Sequence, residues 1–217
     1  VKMRFNFKKN LTFLFLVSPL LLATCQKSPT GPQGIEDVYP LAVRNYWVYQ
    51  GQINIGGPPR GEIREEIIDS VRLADNSTAF VKRKITSRES SSVKDTVVSY
   101  LQFVDDELRE YLSKVYICKF KILLKLPLQP EAEWSTDACF CPACPLVVAY
   151  KDSIEALENI NVPAGSFNDC YRIVTCNCPA SIVTDVRWFA PYVGVTKFMA
   201  EEIWGTETYV LKKYRVR

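Results

Sequence analysis

Histidine does not occur among the 217 residues. That absence removes the Ser-His-Asp and Cys-His nucleophile systems, histidine-containing zinc sites and histidine proton shuttles, because each needs an imidazole. Carboxylates, Lys, Tyr and Cys are what remain for catalysis. Phosphate-cradling loops are missing too: there is no Walker sequence and no Gly-x-Gly-x-x-Gly, and Gly56-Gly57-Pro58-Pro59 is turn chemistry. The leading apolar run, Leu11 to Ala23, falls short of the about 20 residues a spanning helix needs. A cationic excess is also lacking once the N-terminus is set aside. Four of the 27 basic residues (Lys2, Arg4, Lys8, Lys9) and no acid precede position 25, which leaves 23 basic against 24 acidic residues. Nucleic-acid binding loses its electrostatic motive, and nothing argues for an enzyme.

What is present begins with that charged N-terminus followed by the apolar run, the order of a secretory signal. The run ends in Leu22-Ala23-Thr24-Cys25, which resembles the lipobox of bacterial lipoproteins, with Thr24 in place of the usual Gly or Ala. The resemblance implies removal of residues 1–24 and a diacylglyceryl group on Cys25. Gln26 to Gly34, rich in Pro, Gly, Ser and Gln, cannot bury a core and reads as a tether. Each acyl CH₂ buried in a membrane contributes about 0.8 kcal/mol, so lipid alone can anchor. The expected organisation is a signal peptide (1–24), a lipidated Cys and flexible tether (25–36) and one β-rich domain (37–217), outside the cytoplasm and joined to a cell-envelope membrane by its lipid. Two related halves, about 37–125 and 126–217, are the alternative division.

Along the domain the hydrophobic period is two. Tyr116, Cys118, Phe120, Ile122, Leu124 and Leu126 alternate with Lys119, Lys121 and Lys125, which predicts a half-buried strand with its lysines in water. Ile63, Ile67, Val71 and Leu73 alternate with Glu62, Arg64 and Glu66, although Ile68 breaks the pattern. Ile154, Ala156, Ile160 and Val162 do likewise against Lys151, Ser153, Glu155, Asn159 and Asn161. Further β-like runs span Tyr46–Ile55, Ala79–Thr86, Val93–Val104, Ser166–Thr175, Ser181–Phe189, Val195–Ile203 and Thr206–Val216, separated by Gly, Pro, Asn and Asp turns. Roughly ten strands predict a mainly β fold, an antiparallel curved sheet or partly closed barrel with few short helices. Glu107–Lys114 is the best prospect for a helical turn.

Pro40-Leu41 precedes Trp47 by the same spacing as Pro127-Leu128 precedes Trp134. These segments, with Val162-Pro163-Ala164-Gly165-Ser166-Phe167 and Trp188-Phe189-Ala190-Pro191-Tyr192-Val193-Gly194-Val195-Thr196-Lys197, resemble parts of a family of uncharacterised bacterial lipoproteins. The resemblance implies an exported β-rich domain and brings no activity with it. The family has Gly where this chain has Arg44 and Tyr192, which predicts altered geometry at those two turns.

Seven cysteines follow Cys25. Five form two clusters, Cys139-Phe140-Cys141-Pro142-Ala143-Cys144 and Cys176-Asn177-Cys178; Cys118 and Cys170 stand apart. An exported protein favours disulfides, with the clusters cross-linked and Cys118 paired to Cys170, although an odd count leaves one thiol over. Four thiolates drawn from Cys139, Cys141, Cys144, Cys176 and Cys178 could instead hold zinc. Cys141-Pro142-Ala143-Cys144 resembles a thioredoxin-like dithiol, but the helix that would lower its first thiol's pKa is replaced by a β-prone run. Acidic groups (Asp105, Asp106, Glu107, Glu110; Glu65-Glu66; Glu201-Glu202) read as solvated, and Trp47, Trp134, Trp188 and Trp204 as core. The sequence thus points to a disulfide-stabilised envelope lipoprotein with a binding, scaffolding or maintenance role and no cofactor. The alternatives are a zinc or thiol-redox lipoprotein and a carrier of an apolar ligand in a curved sheet; the protein or small-molecule partner is open.

Overall fold

Antiparallel alternation extends from residue 46 to residue 215 in a computed structural model, which describes residues 34–52, 61–87, 94–115, 120–138, 148–178, 182–202 and 205–217. A one-turn helix α1 (Ile35–Val38) is followed by twelve strands: β1 (Tyr46–Gln52), β2 (Glu62–Arg72), β3 (Thr78–Ser87), β4 (Lys94–Val104), β5 (Glu107–Tyr111), β6 (Phe120–Lys125), β7 (Glu133–Ala138), β8 (Val148–Val162), β9 (Gly165–Cys178), β10 (Ile182–Ala190), β11 (Gly194–Glu202) and β12 (Gly205–Arg215). All lie in one sheet, ordered β6-β5-β4-β3-β2-β1-β12-β11-β10-β9-β8-β7, and in one compact unit, Pro32–Arg217. Every sequential pair except β6–β7 is hydrogen-bonded, and β12 returns to pair with β1. The two outer strands meet side by side. Ile122 N donates to Thr136 Oγ1 at 3.1 Å and Trp134 Nε1 to Ile122 O at 3.3 Å, so side chains close the seam that the backbone ladder leaves open. The result is a nearly closed up-and-down barrel, the mainly β curved fold the periodicity predicts.

Two strands were not legible as such. Residues Glu107–Lys114, expected as a helical turn, instead begin with β5, paired to β4 and to β6. A single helical turn there would bury one face at most, whereas the strand buries Leu108 on one side and Tyr111 on the other and satisfies its backbone from both neighbours. Asp105 (φ 53) supplies the left-handed position of the β4–β5 turn. β7 was missed because it is short and carries only Trp134 as a large apolar residue.

Pattern breaks become bulges. Ile68, which spoils the alternation of β2, sits at a register shift between Ile67 and Asp69 and is one of the exposed large apolar residues. β8 has shifts between Ile154 and Ala156 and between Glu158 and Ile160, which send Ile154 to the main core and Ile160 to a smaller cluster. That smaller cluster (Cys170, Val174, Val186, Trp188, Ala190) alternates along β10 with the residues that face the barrel interior. The β8–β9 tip bends across the neighbouring strands, and Ala164 N donates to Leu211 O of β12 at 3.1 Å.

Strand direction gives the barrel two unlike ends. Connections β2–β3, β4–β5, β6–β7, β8–β9 and β10–β11 emerge at one end, which α1 and residues 39–45 plug. Ile35, Val38 and Tyr39 are buried there; Tyr39 stacks on Phe189 at 5.9 Å and Tyr192 N donates to Val38 O at 2.8 Å. Trp47 Nε1 donates to Val193 O at 2.6 Å, and a Cβ on Gly194 (φ 105) would lie 3.1 Å from that same nitrogen, so only glycine fits. The four segments that carry the family resemblance all lie at this plugged end.

The two turns expected to differ keep left-handed geometry: Arg44 has φ 79 and Tyr192 φ 66. A non-glycine residue there costs about 1–2 kcal/mol. Arg44→Gly retains the Arg44 N to Ile67 O bond (2.7 Å) and is expected to raise unfolding free energy by about 1 kcal/mol. A higher urea midpoint with unchanged slope would show this; a lower midpoint would mean the Arg44 side chain outweighs the backbone relief.

Candidate ligand cavity

Away from the plug, the barrel interior opens into a cavity of about 480 Å³. Volumes of roughly 300–1,000 Å³ are usual for small-molecule sites. On most strands its lining comes from side chains in phase with the core; on β6, opposite the register shift of β5, Lys121 and Leu123 join it from the other phase. The deepest layer is Tyr39, Tyr49, Ile173, Phe189 and Val195; above it lie Lys82, Ser99, Glu110, Lys121, Arg187 and Phe198; towards the mouth come Lys84, Thr86, Val97, Leu112, Asp185 and Ala200. Closure of the sheet turns one face of every strand inward whatever its polarity, and this creates a charged belt inside the barrel.

Two hydrogen-bonded ion networks occupy the belt. Lys82 Nζ lies 2.7 Å from Glu110 Oε1 and 4.0 Å from Glu65 Oε1, and Ser99 Oγ donates to Glu110 at 2.7 Å. Burial would raise the Glu110 carboxyl, but the Lys82 charge and the bonds from Lys82 and Ser99 hold it down at about 2. Burial likewise works against the Lys82 ammonium; Glu110 and Glu65 outweigh it and keep the ammonium charged. In the second network Arg187 Nη2 donates to the fully buried Asp152 at 2.6 Å, and Thr175 Oγ1 donates to the same oxygen at 2.6 Å. Arg187 Nε is 3.0 Å from Asp185 Oδ2 but is not aligned for a hydrogen bond, and Asp152 Oδ2 has no partner.

Lys84 and Lys121 also line the cavity, and neither makes an ion pair among the described residues. Burial and the nearby Arg187 charge push the Lys121 ammonium below the usual lysine range, against the pull of Asp152, Asp185 and Glu110. Its register partner on β5 is Glu110, already held by Lys82.

Several expectations are corrected here. Lys121, read as part of a wet face, lines the cavity. The acidic group at 105–110 is dispersed: Asp105 and Asp106 are exposed in a turn, Glu107 binds Arg109 and Lys125, and Glu110 points inward. Glu65 and Glu66 face opposite sides; Glu66 is held outside by Arg64 and Arg83, whose charges and hydrogen bonds overcome burial and lower its carboxyl. Trp47, Trp134 and Trp188 are core, as read; Trp204 and the side chains of Glu201 and Glu202 lie outside the described residues.

The cysteine reading meets a different picture. Cys170 and Cys176 are free thiols. Cys170 is buried against Trp188 and Val174, its Sγ donating to Phe167 O at 3.6 Å, and burial raises its thiol pKa. Its expected partner Cys118, together with Cys25, Cys139, Cys141 and Cys144, lies outside the described residues, as does the Cys178 side chain. No disulfide occurs among the described cysteines, and no group of three or more Cys, Asp or Glu there is arranged to hold a metal.

The sequence matches no family model and no curated protein. Among solved structures it is similar to a provisionally assigned lipoprotein of Parabacteroides distasonis, at 13% identity over 82% of this chain and 97% of that one, TM-score 0.42. It is also similar to a provisionally assigned exported protein with a YmcC-like fold from Bacteroides fragilis, at 10% identity over 82% and 98%, TM-score 0.48.

The belt residues Lys82, Lys84, Asp152, Asp185 and Arg187 escaped the sequence reading. A signal for them exists: each sits at the same strand parity as a core residue, Lys82 and Lys84 with Phe80, Asp185 and Arg187 with Phe189, Asp152 with Ile154. A polar residue in phase with the core marks a position the fold encloses.

Proposed function

We propose that this chain is a cell-envelope lipoprotein, anchored through Cys25, whose barrel binds a small molecule with an apolar body. The observation that carries the reading is the 480 Å³ cavity, open at one end and walled by Phe198, Leu123, Val97 and Leu112 around a polar belt. The anchor rests on the lipobox-like Leu22-Ala23-Thr24-Cys25. Binding rather than catalysis fits a chain without histidine, whose enclosed Glu110 and Asp152 are committed to Lys82 and Arg187.

Expressed as the full chain, the protein is expected in the membrane fraction, and after extraction to bind the uncharged fluorophore N-phenyl-1-naphthylamine saturably at one site. Cys25→Ala should move it to the soluble fraction with binding intact, and Ala200→Trp, which puts an indole into the mouth of the cavity, should abolish binding at unchanged Tm. Binding that survives Ala200→Trp would place the fluorophore elsewhere and sink the cavity reading.

A further inference from the structure

We infer that the molecule held in the barrel carries an oxyanionic head, such as a carboxylate, that pairs with Lys121 and Lys84 while its apolar part lies against Phe198, Leu123, Val97 and Leu112. The inference rests on the cavity reading above and goes beyond it by assigning the ligand's charge.

Charge bookkeeping inside the barrel carries the argument. Of the four cations lining the cavity, Lys82 and Arg187 each stand beside two carboxylates, Glu110 and Glu65 for one, Asp152 and Asp185 for the other. Each network is therefore closed to a further anion. Among the described residues Lys84 and Lys121 make no ion pair; Lys84 stands opposite Glu65 of β2, which Lys82 approaches at 4.0 Å, and Lys121 stands opposite Glu110 of β5, which Lys82 holds at 2.7 Å. The groups facing Lys121 are Glu110 of β5, Asp152 of β8, Asp185 and Arg187 of β10, and the Tyr150 ring of β8, 5.8 Å from its Nζ. The carboxylates among them are spoken for by other cations, and Arg187 repels. An enclosed ammonium without a partner is costly, and an anion delivered into the cavity relieves that cost. The same low-dielectric enclosure makes the new pair stronger than one formed in water. Lys84 lies one step nearer the mouth on β3, level with Val97 of β4, where an incoming head passes before reaching Lys121. A cationic head would meet two ammonium groups and no free carboxylate pair. A neutral one would leave both lysines as they are.

The test keeps the chain length of the probe fixed and changes its charge. Octanoate, octan-1-ol and octylammonium are titrated calorimetrically into the full chain at pH 7.5, with Ala200→Trp protein in the same preparation as the blank for partition into lipid. Octanoate is expected to bind at least tenfold more tightly than octan-1-ol, and octylammonium not measurably. Lys121→Met is expected to weaken octanoate at least tenfold and leave octan-1-ol unchanged, which also shows that the variant is folded. Lys84→Met should act in the same direction with a smaller factor. Equal affinity for octanoate and octan-1-ol, or a Lys121→Met variant that holds octanoate as well as the parent, would overturn the inference and leave the cavity reading standing. No saturable binding of any of the three probes would bring down both.

Discussion

Arg187→Met is expected to cost about 3–5 kcal/mol of folding stability, because it leaves Asp152 as a buried carboxylate without its cation. Asp152 of β8 is fully buried, and Arg187 of β10 reaches it at 2.6 Å across β9. With Arg187 removed, Asp152 keeps only the Thr175 hydroxyl, and Oδ2 already lacks a partner. The pair itself is worth far less than its rupture, since desolvating two charges offsets most of their attraction. Arg187→Met with Asp152→Leu is therefore expected to recover most of the loss. A double-mutant cycle by urea denaturation reads this directly. If the single variant unfolds within about 1 kcal/mol of the parent, the network is not the enclosed pair described.

Trp47→Ala should rank beside it, with a loss of about 3–5 kcal/mol, the range for a buried aromatic truncated to Ala. Trp47 is 1% exposed and joins three parts of the plug: Tyr39 at 6.0 Å between ring centroids, the Val193 carbonyl at 2.6 Å, and the bare α-carbon of Gly194. Trp47→Phe separates the contributions. It keeps most of the apolar contact and leaves the Val193 carbonyl without its donor, at a cost of about 1–3 kcal/mol. Thermal unfolding of the two variants should follow that order. Equal losses would mean the hydrogen bond, not the packing, holds the plug.

Both variants bear on the division between scaffold and site. Trp47, Gly194 and the Pro163–Phe167 turn lie at the plugged end and are among the residues that carry the family resemblance, while the charged belt lies nearer the mouth. The recognisable motifs thus describe how the barrel is closed, and the residues proposed to meet a ligand fall largely outside them. The cysteines are a separate case. They were the most conspicuous chemistry in the sequence, yet the described ones, Cys170 and Cys176, are free thiols, and Cys170 serves as a core residue.

By itself the sequence determined the strands, because a period of two is a local property: Ile63 and Ile67, Ile122 and Leu124, and Ile173 can be buried on one face only if the chain is extended. It also determined the breaks, since Ile68 out of phase becomes a bulge, and the turns, where Asp105, Gly165 and Gly194 take backbone angles that few residues accept comfortably. Short strands such as β5 and β7 lay below that resolution, five or six residues being too few to separate one period from another. Which face was inside was decided only by the tertiary structure. Pairing of β1 with β12, some 160 residues apart, and the side-chain seam between β6 and β7 curl the sheet until polar positions are enclosed, including one out of phase with its own strand's core residues. Lys121 is the clearest instance. Locally it is a lysine on the wet side of an amphipathic strand; only closure of the barrel, a set of contacts distant in sequence, makes that side an interior.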